Sequence, residues 1–178
     1  MAVKISRVVV LGTLAFIALV PPPVAAQEMA PAACVMPVAP TDELASWADP
    51  VPLAAENSEG RTGRARLAIG QAAHLTLLKT PEVRYPLRPE KPGESGSFGG
   101  LVRLDVRKAG TYRVALGSAA WIDLVRGRQA VTSIVHGHGP DCTGIRKIVD
   151  FPLTPGRYTL QIAATDEPQM TVLVVRLP

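Results

Sequence analysis

The chain lacks several features that would assign a function directly. Its longest apolar stretch, Val8–Val20, has 13 residues, which is shorter than the roughly 20 residues of an ordinary transmembrane helix. No block of like charge marks a phosphate-binding surface, so nucleic-acid binding is not expected. No glycine-rich phosphate loop opens a predicted helix. The run Gly93–Ser97 differs from the Gly-x-Ser-x-Gly elbow of serine hydrolases and lies in a loop.

The N-terminus contains the three parts of a secretory signal in order. Lys4 and Arg7 form a basic region, Val8–Val20 is apolar, and residues 21–23 are prolines. The small residues Val24–Ala26 then offer a signal-peptidase site of the A-x-A type. We therefore expect residues 1–26 to be cleaved and the protein to be periplasmic or secreted, with no membrane span left after cleavage. An uncleaved membrane anchor is the alternative.

Cleavage after Ala26 would leave 152 residues, about the size of one domain. Because the removed segment contains two basic residues and no acid, the formal charge falls from +4 to +2. The alkaline isoelectric point of the whole chain is therefore no argument for a nucleic-acid partner. The expected product is a weakly basic exported domain.

Only two cysteines are present, Cys34 and Cys142. In an oxidising compartment an even number of cysteines favours a disulfide. This bond would join the N-terminal segment to the rest of the domain across more than 100 residues. In the chain-entropy model, closing a loop of this length stabilises the fold by roughly 4–5 kcal/mol.

Residues 27–65 precede the part of the chain with regular strand patterns. Residues 27–40 are rich in Ala and Pro, as is typical of a tether. Thr41, followed by two acids and then by Leu44 and Trp47, predicts a capped short helix in which Thr41 accepts the free N–H groups of the first turn. We therefore assign residues 27–65 to a tether with one short helix.

From residue 66 onward, apolar residues alternate with small or polar ones, as in half-buried strands. A Pro-rich stretch over 81–96 interrupts the pattern and predicts a long loop, either a binding loop or a solvated connector. The prediction for 66–178 is an all-β domain, an antiparallel sandwich or jelly roll of about eight short strands. Strands are expected around 67–69, 75–77, 101–106, 112–116, 121–125, 131–135, 145–151, 158–162 and 170–177.

Two segments 46 residues apart repeat a Gly-x-Tyr pattern, Ala109–Val114 and Pro155–Leu160. The glycine permits a turn, and the tyrosine two positions later can bury its ring while its hydroxyl bonds to the backbone. Paired Gly-x-Tyr strands resemble those of bacterial pre-peptidase C-terminal and related jelly-roll domains, here over about residues 99–177. This resemblance implies an accessory or binding domain without catalytic activity.

One Gly/Pro-rich segment in the β region contains the residues with the clearest chemical potential. Two histidines at i and i+2 of an extended chain point to the same side, so His136 and His138 can share a metal ion. Cys142 could add a thiolate, and Asp141 or His74 a further ligand, a set that suits zinc or copper. The alternative is a structural loop with solvated histidines and with Cys142 in the disulfide. Cys142 cannot be disulfide partner and metal ligand together, whereas a site of His136, His138 and a carboxylate is compatible with the disulfide.

The same segment resembles part of a cupin motif, in which His-x-His is followed three or four residues later by glutamate. Cys142 occupies the position of that glutamate, Ala130 and Val149 stand where the motif has glycine, and no third histidine follows Gly156. An iron-dependent dioxygenase needs a complete facial set of ligands. The set in this sequence is incomplete.

Residues 97–178, together with two short segments that precede them, closely resemble short exported proteobacterial proteins that often carry the name homogentisate 1,2-dioxygenase. True homogentisate dioxygenases are cytosolic cupins several times longer, with a complete His/Glu iron site. We therefore expect the name to be a misassignment for exported chains of this length. The segments that carry the resemblance are Val83–Tyr85, Pro89–Gly93, Ala119–Asp123, His136–Pro140 and Arg157–Ile162.

Trp47 and Trp121 are further candidates, since a tryptophan can stack on a sugar or another flat ligand, although burial in a core is the plainer role. Three functions follow from these patterns. The first is a non-catalytic binding or accessory domain, with a metal site at His136 and His138 as an option. The second is an iron-dependent dioxygenase, and the third is a structural protein of the cell envelope. The expected partner is an envelope protein or a small ligand.

Overall fold

The computed structural model describes Cys34 and residues 36–178. The predicted signal over 1–26 lies outside the described residues. No helix in the described part of the chain is long and apolar enough to cross a membrane.

The described residues form two β-sheets that pack face to face, which confirms the predicted all-β sandwich. Sheet I has six strands in the order β1-β2-β11-β5-β9-β8, and sheet II has five in the order β3-β4-β10-β6-β7. The pairings are antiparallel except for β1 with β2. The strands are β1 Val51–Ala54, β2 Ala73–Thr76, β3 Leu78–Lys79, β4 Phe98–Val106, β5 Gly110–Leu116, β6 Trp121–Arg126, β7 Gln129–Ala130, β8 Val135–Gly137, β9 Lys147–Leu153, β10 Gly156–Thr165 and β11 Gln169–Arg176.

The main core lies between the two sheets and follows the period-two pattern of the sequence. In β10, for example, Tyr158, Leu160 and Ile162 point into the core, while Thr159 and Gln161 point to the outer face of sheet II. The outward residues are also buried. The loop over 80–97 crosses this face and contacts Gln161, and Glu59 contacts Thr159. The predicted Pro-rich loop is therefore a cover of sheet II.

The outer face of sheet I is covered by the N-terminal part of the described chain. A 3-10 helix spans Asp42–Ala48, and it buries Leu44 and Trp47 against Leu173 and other apolar residues of the sheet. This confirms the short helix but corrects its cap. The Thr41 side chain makes no capping bond, and its hydroxyl donates instead to the Asp42 carboxylate at 3.0 Å. Two further 3-10 turns span Glu59–Arg61 and Thr80–Glu82.

Part of the segment that the sequence pattern assigned to a tether contributes to the sandwich. Residues 51–54 form β1, which pairs with β2. Ala55 and Ala65 are buried in the main core. The strand expected at 67–69 is replaced by a single bridge between Arg66 and Arg103. Short runs of Ala and Pro gave no periodic signal, so the pattern did not reveal this edge.

The predicted disulfide between Cys34 and Cys142 is confirmed. The two Cα atoms lie 5.3 Å apart and are separated by 108 residues of sequence. The Val38 N–H donates to the carbonyl oxygen of Cys142 at 2.8 Å. The disulfide and this hydrogen bond fasten the N-terminal segment to the loop between β8 and β9.

A charged pair lies beneath that N-terminal segment. Arg113 on β5 donates two hydrogen bonds to the carboxylate of Asp150 on β9, at 2.9 and 2.8 Å. The Glu43 carboxylate lies 3.8 Å from the same guanidinium. Asp150 is 2% exposed, so the carboxylate is compensated by a bidentate partner rather than by water. The hydrogen bond to Asp150 raises the pKa of Arg113.

The two Gly-x-Tyr segments are equivalent crossovers between the sheets. Gly110 begins β5 and Gly156 begins β10, and each has φ of +155°. The Tyr112 hydroxyl donates to the carbonyl of Lys108 at 2.7 Å, and the Tyr158 hydroxyl donates to that of Thr154 at 2.9 Å. The predicted backbone bond of each tyrosine is thus confirmed. We call the end of the sandwich that holds both segments the crossover end.

The strand expected at 131–135 is instead the passage between two edges. β7 (Gln129–Ala130) pairs with β6 in sheet II, and β8 (Val135–Gly137) pairs with β9 in sheet I. The residues between them leave one sheet and join the other. Both strands are exposed, so burial imposes no alternation of polarity here. The His-Gly-His segment follows at the opposite end of the sandwich, which we call the loop end.

Candidate functional site

The His-Gly-His segment lies at the open edge of sheet I. His136 on β8 pairs with Val149, whose side chain lies in the main core, so His136 is on the core side of the sheet but remains exposed. Its Nε2 lies 2.7 Å from the Ser133 hydroxyl. Nδ1 of His138 lies 3.1 Å from the carbonyl oxygen of Arg146. Each ring therefore already uses one nitrogen within the loop.

The other predicted metal ligands are not available beside these two rings. Cys142 is in the disulfide. Asp141 lines a different depression, together with Arg113 and the N-terminal segment. His74 lies on β2, which three strands separate from β8, and it points to the outer face. Among the described residues, no three His, Cys, Asp or Glu side chains form a group suited to a metal ion.

A depression of about 480 Å³ adjoins the two histidines. Arg146 and Lys147 line it with them, and the Arg146 guanidinium lies 3.5 Å from His138 Nδ1. The Lys147 ammonium donates to the carbonyl of Ala120 at 2.8 Å, which links β9 to the start of β6. Burial lowers the pKa of Lys147, and the nearby positive charge of Lys91 lowers it further. The lining is basic, so a bound cation would meet positive charge there.

The two tryptophans lie on opposite sides of the sandwich and cannot form one stacking site. Trp47 is buried in the cluster on sheet I. Trp121 is half-buried on the outer side of sheet II, where its indole N–H donates to Asp123 at 3.1 Å. The Lys91 ammonium lies 5.7 Å from the centre of its ring, within the range of a cation–π contact. Trp47 is therefore a core residue, whereas Trp121 stays partly exposed and contacts Asp123 and Lys91.

Buried polar groups attach the loop over 80–97 to sheet II. The Gln161 side chain, 1% exposed, donates to the carbonyl of Leu87 at 3.0 Å and to Asp123 at 2.7 Å. The Tyr85 hydroxyl donates to the carbonyl of Ile162 at 3.0 Å, and burial raises its pKa to about 12. Gly99 leaves room for that hydroxyl. These bonds hold the loop closed over the sheet.

A second cavity, of about 500 Å³, lies at the crossover end. Its lining includes four exposed cationic side chains and an apolar floor. Leu67 is buried in this floor, Ile69 is half-buried, and the ring of Tyr112 is 2% exposed. The cations are Arg66, Arg107, Lys108 and Arg176. We call this feature the arginine cavity.

One carboxylate, Asp105, also lines the arginine cavity, but it already has a cationic partner. Arg103 donates to Asp105 Oδ1 through Nε at 2.9 Å and through Nη2 at 2.7 Å. The four cavity cations thus face one neutralised pair. The planar guanidinium group of arginine can donate two parallel hydrogen bonds, which suits it to binding carboxylates and phosphates.

The crossover glycines help to position arginines at this end. The Arg176 side chain lies against Gly110, where an added Cβ would come within 2.8 Å of Nε, and it donates to the carbonyl of Ala109 at 3.3 Å. Arg126 lies in the same way against Gly156, with its guanidinium 5.6 Å from the centre of the Tyr158 ring. At each crossover, one arginine side chain therefore packs against the glycine.

The sequence pattern did not reveal the arginine cavity. Its cations come from three separate places in the chain, residue 66, residues 107–108 and residue 176, so no long run of like charge marks them. The signal that was present is indirect. Arg107 and Lys108 immediately precede the first Gly-x-Tyr repeat, and that repeat was identified as a turn. A basic pair beside a predicted turn is the local hint of this surface.

Neither models of known protein families nor curated proteins match this chain. The fold and the sites define a small all-β sandwich with one disulfide, two equivalent crossovers between the sheets and a basic cavity at one end.

Proposed function

We propose that this protein is an exported, non-catalytic binding domain that holds an anionic small ligand in the arginine cavity. The observation that carries the proposal is the convergence of four cations on one apolar floor, with its single carboxylate already paired. Ligand pockets of this kind combine an apolar surface with a few polar groups that fix orientation. The ligand class is a carboxylate or phosphate with a short apolar part.

The proposal of export rests on the signal pattern of residues 1–26 and on the disulfide. Disulfides persist in oxidising compartments and are rare in the cytosol. The resemblance to exported proteins and to pre-peptidase C-terminal domains points in the same direction and stays a prediction. Cell fractionation tests it, with release of a product beginning at Gln27 as the expected result. A full-length product in the cytosol with two reactive thiols would contradict it.

The loop end supports the metal and dioxygenase alternatives less well. A site built on His136 and His138 has the Arg146 guanidinium as a close neighbour, which disfavours a bound cation. The cysteine in the cupin glutamate position is in the disulfide, so it offers no thiolate for iron. Metal analysis of the purified protein, with and without His136→Ala and His138→Ala, tests this directly. Stoichiometric metal that is lost in both variants would restore the alternative.

Titration calorimetry with hexyl phosphate, and with hexanol as neutral control, tests the ligand class. We expect binding of hexyl phosphate only, because the cations supply the recognition of charge. The variant Arg107→Gln/Lys108→Gln should weaken binding by at least about tenfold, since hydrogen bonds to charged groups contribute roughly 1.5–3 kcal/mol each.

The matched control for this titration is Arg84→Gln/Arg88→Gln, which removes the same charge from the loop over sheet II. Arg84 and Arg88 are exposed, so their replacement leaves the cavity intact. Equal weakening in both variants would show a general effect of net charge. It would remove the arginine cavity as the site.

A further inference from the structure

Not all of the positive charge at the crossover end lies in the lining of the arginine cavity. Three exposed arginines lie at this end in addition to the four cavity cations. They are Arg126 at the end of β6, Arg128 in the following turn and Arg157 near the start of β10. We propose that the whole crossover end docks on anionic phospholipid bilayers, with the arginine cavity receiving one lipid phosphate. This inference rests on the proposed function, because it names the source of the anion.

Strand register brings these arginines together. Gly156 pairs with Val106, so the start of β10 lies beside the end of β4, where Arg107 and Lys108 follow. Gly110 pairs with Leu153, which brings the second crossover to the same end. Residues scattered over more than 100 positions of sequence thereby form one basic surface.

No carboxylate within the described residues offsets this charge through an ion pair. The three ion pairs found there join Arg103 to Asp105, and Arg113 to Glu43 and to Asp150. Neither of these arginines belongs to the basic surface. The surface therefore presents seven cations without an ion-pair partner, namely Arg66, Arg107, Lys108, Arg126, Arg128, Arg157 and Arg176.

The chemistry of the surface favours a bilayer over a nucleic acid. Proteins that bind single strands stack bases on exposed aromatic rings. The aromatic residues at this end, Tyr112 and Tyr158, are 2% and 3% exposed, and both hydroxyls are bonded to the backbone. The apolar floor, in which Ile69 is half-buried, would instead suit the apolar part of a lipid next to its phosphate. Basic residues near an anionic membrane surface each add to its affinity.

Sedimentation with lipid vesicles tests the inference on the full chain. The vesicles contain phosphatidylglycerol or, as control, phosphatidylcholine alone. We expect binding to the anionic vesicles only, and we expect its loss in high salt, because the Debye length falls from about 10 Å at 0.1 M to about 3 Å at 1 M. All protein samples share residues 1–33, so the comparison between variants on the same vesicles does not depend on that segment.

The variant Arg128→Gln/Arg157→Gln separates the surface from the cavity, since neither residue lines the cavity. At about fivefold per charge, the partition onto anionic vesicles should fall roughly 25-fold. Binding of hexyl phosphate should not change. The control Arg84→Gln/Arg88→Gln removes equal charge elsewhere and should keep most of the vesicle binding.

The outcomes distinguish the two proposals. Absence of salt-sensitive vesicle binding, with hexyl phosphate binding retained, overturns docking on membranes and leaves the ligand site. Equal loss in the test and control variants also overturns it. Tighter binding to duplex or single-stranded DNA than to anionic vesicles would assign the surface to nucleic acid instead. Loss of hexyl phosphate binding in the wild type would overturn the proposed function itself.

Discussion

The two ends of this sandwich are built in different ways. At the loop end, the chain is held by a covalent bond, Cys34–Cys142, and by buried polar contacts beneath the loop over 80–97. At the crossover end, the chain is held by two copies of the same glycine–tyrosine turn. Gly110 and Gly156 share one φ value, and the tyrosine after each bonds back to the chain.

The loop over 80–97 and the crossover end also differ in the signs of charge that they carry. The loop over 80–97 interleaves acidic Glu82, Glu90 and Glu94 with basic residues. The crossover end collects cations whose ion-pair partners are absent from the described residues. Self-repulsion of such cations opposes folding. The side chains of Arg176 and Arg126 lie against Gly110 and Gly156, which fixes the positions of two of these cations. A bound anion would reduce the repulsion between them.

The largest expected effect comes from removing the covalent tie at the loop end. The double variant Cys34→Ser/Cys142→Ser should lower the free energy of unfolding by about 4 kcal/mol, as the loop closed by the bond is long. Hydrogen exchange should rise in residues 38–48 and 138–146 and stay slow at the crossovers. Denaturant unfolding and exchange mass spectrometry measure both effects. An equal rise in hydrogen exchange at both ends would show that the disulfide does not stabilise the loop end selectively.

The next effect tests the crossover glycines. Gly156→Ala should cost about 1–3 kcal/mol, because φ is +155° and the new Cβ would meet the Arg126 guanidinium at 3.1 Å. Gly137→Ala at the loop end is the control, since no atom lies within 4 Å of its added Cβ. Thermal or urea unfolding gives both values. Equal costs would show that the crossover glycine is not special.

A smaller effect compares the two tyrosines with each other. Tyr112→Phe and Tyr158→Phe should each cost about 1 kcal/mol, because each hydroxyl donates to a backbone carbonyl. Tyr158→Phe should cost more, since the Tyr158 hydroxyl also accepts from the Thr154 N–H at 3.2 Å. Urea unfolding of the two variants checks the order. The reverse order would contradict a stabilising contribution from the Thr154 N–H bond.

The smallest effect concerns alkaline pH at the loop over sheet II. Burial raises the pKa of Tyr85 from 10.0 to about 12. Between these values the folded protein keeps a proton that the unfolded chain has lost, so stability falls as the pH rises through this window. Below pH 10.0 Tyr85 keeps its proton in both states, so its ionisation does not change the free energy of unfolding. Tyr85→Phe should abolish this part of the decline, as followed by urea unfolding at several pH values. An unchanged decline would contradict the assignment.

Much of the fold could be predicted because its signals are local. Alternation of apolar residues located the central strands, the Gly-x-Tyr repeats predicted two turns with backbone-bonded tyrosines, and the cysteine count predicted the disulfide. Short exposed edges gave no such signal, as at β7 and β8, where one expected strand is a passage between sheets. The predicted Thr41 cap was wrong because the Thr41 hydroxyl bonds to the neighbouring Asp42 carboxylate instead of to the helix N–H groups.

The sites were harder to predict, since sites depend on long-range topology. The His-Gly-His segment is conspicuous in sequence, yet the fold leaves Cys142, Asp141 and His74 elsewhere. The arginine cavity is inconspicuous in sequence, yet the fold assembles it from Arg66, Arg107 and residues still further apart. Spacing along the chain predicted proximity only where one strand or turn connected the residues.

The most direct test of the account places both ends in one experiment. Backbone amide NMR spectra of the protein, recorded while hexyl phosphate is added, report on every ordered residue at once. We predict saturable shifts at residues 66–69, 107–112 and 176, with none at 136–147. Shifts confined to 136–147, or no saturable shifts, would contradict the claim that the crossover end is the binding end.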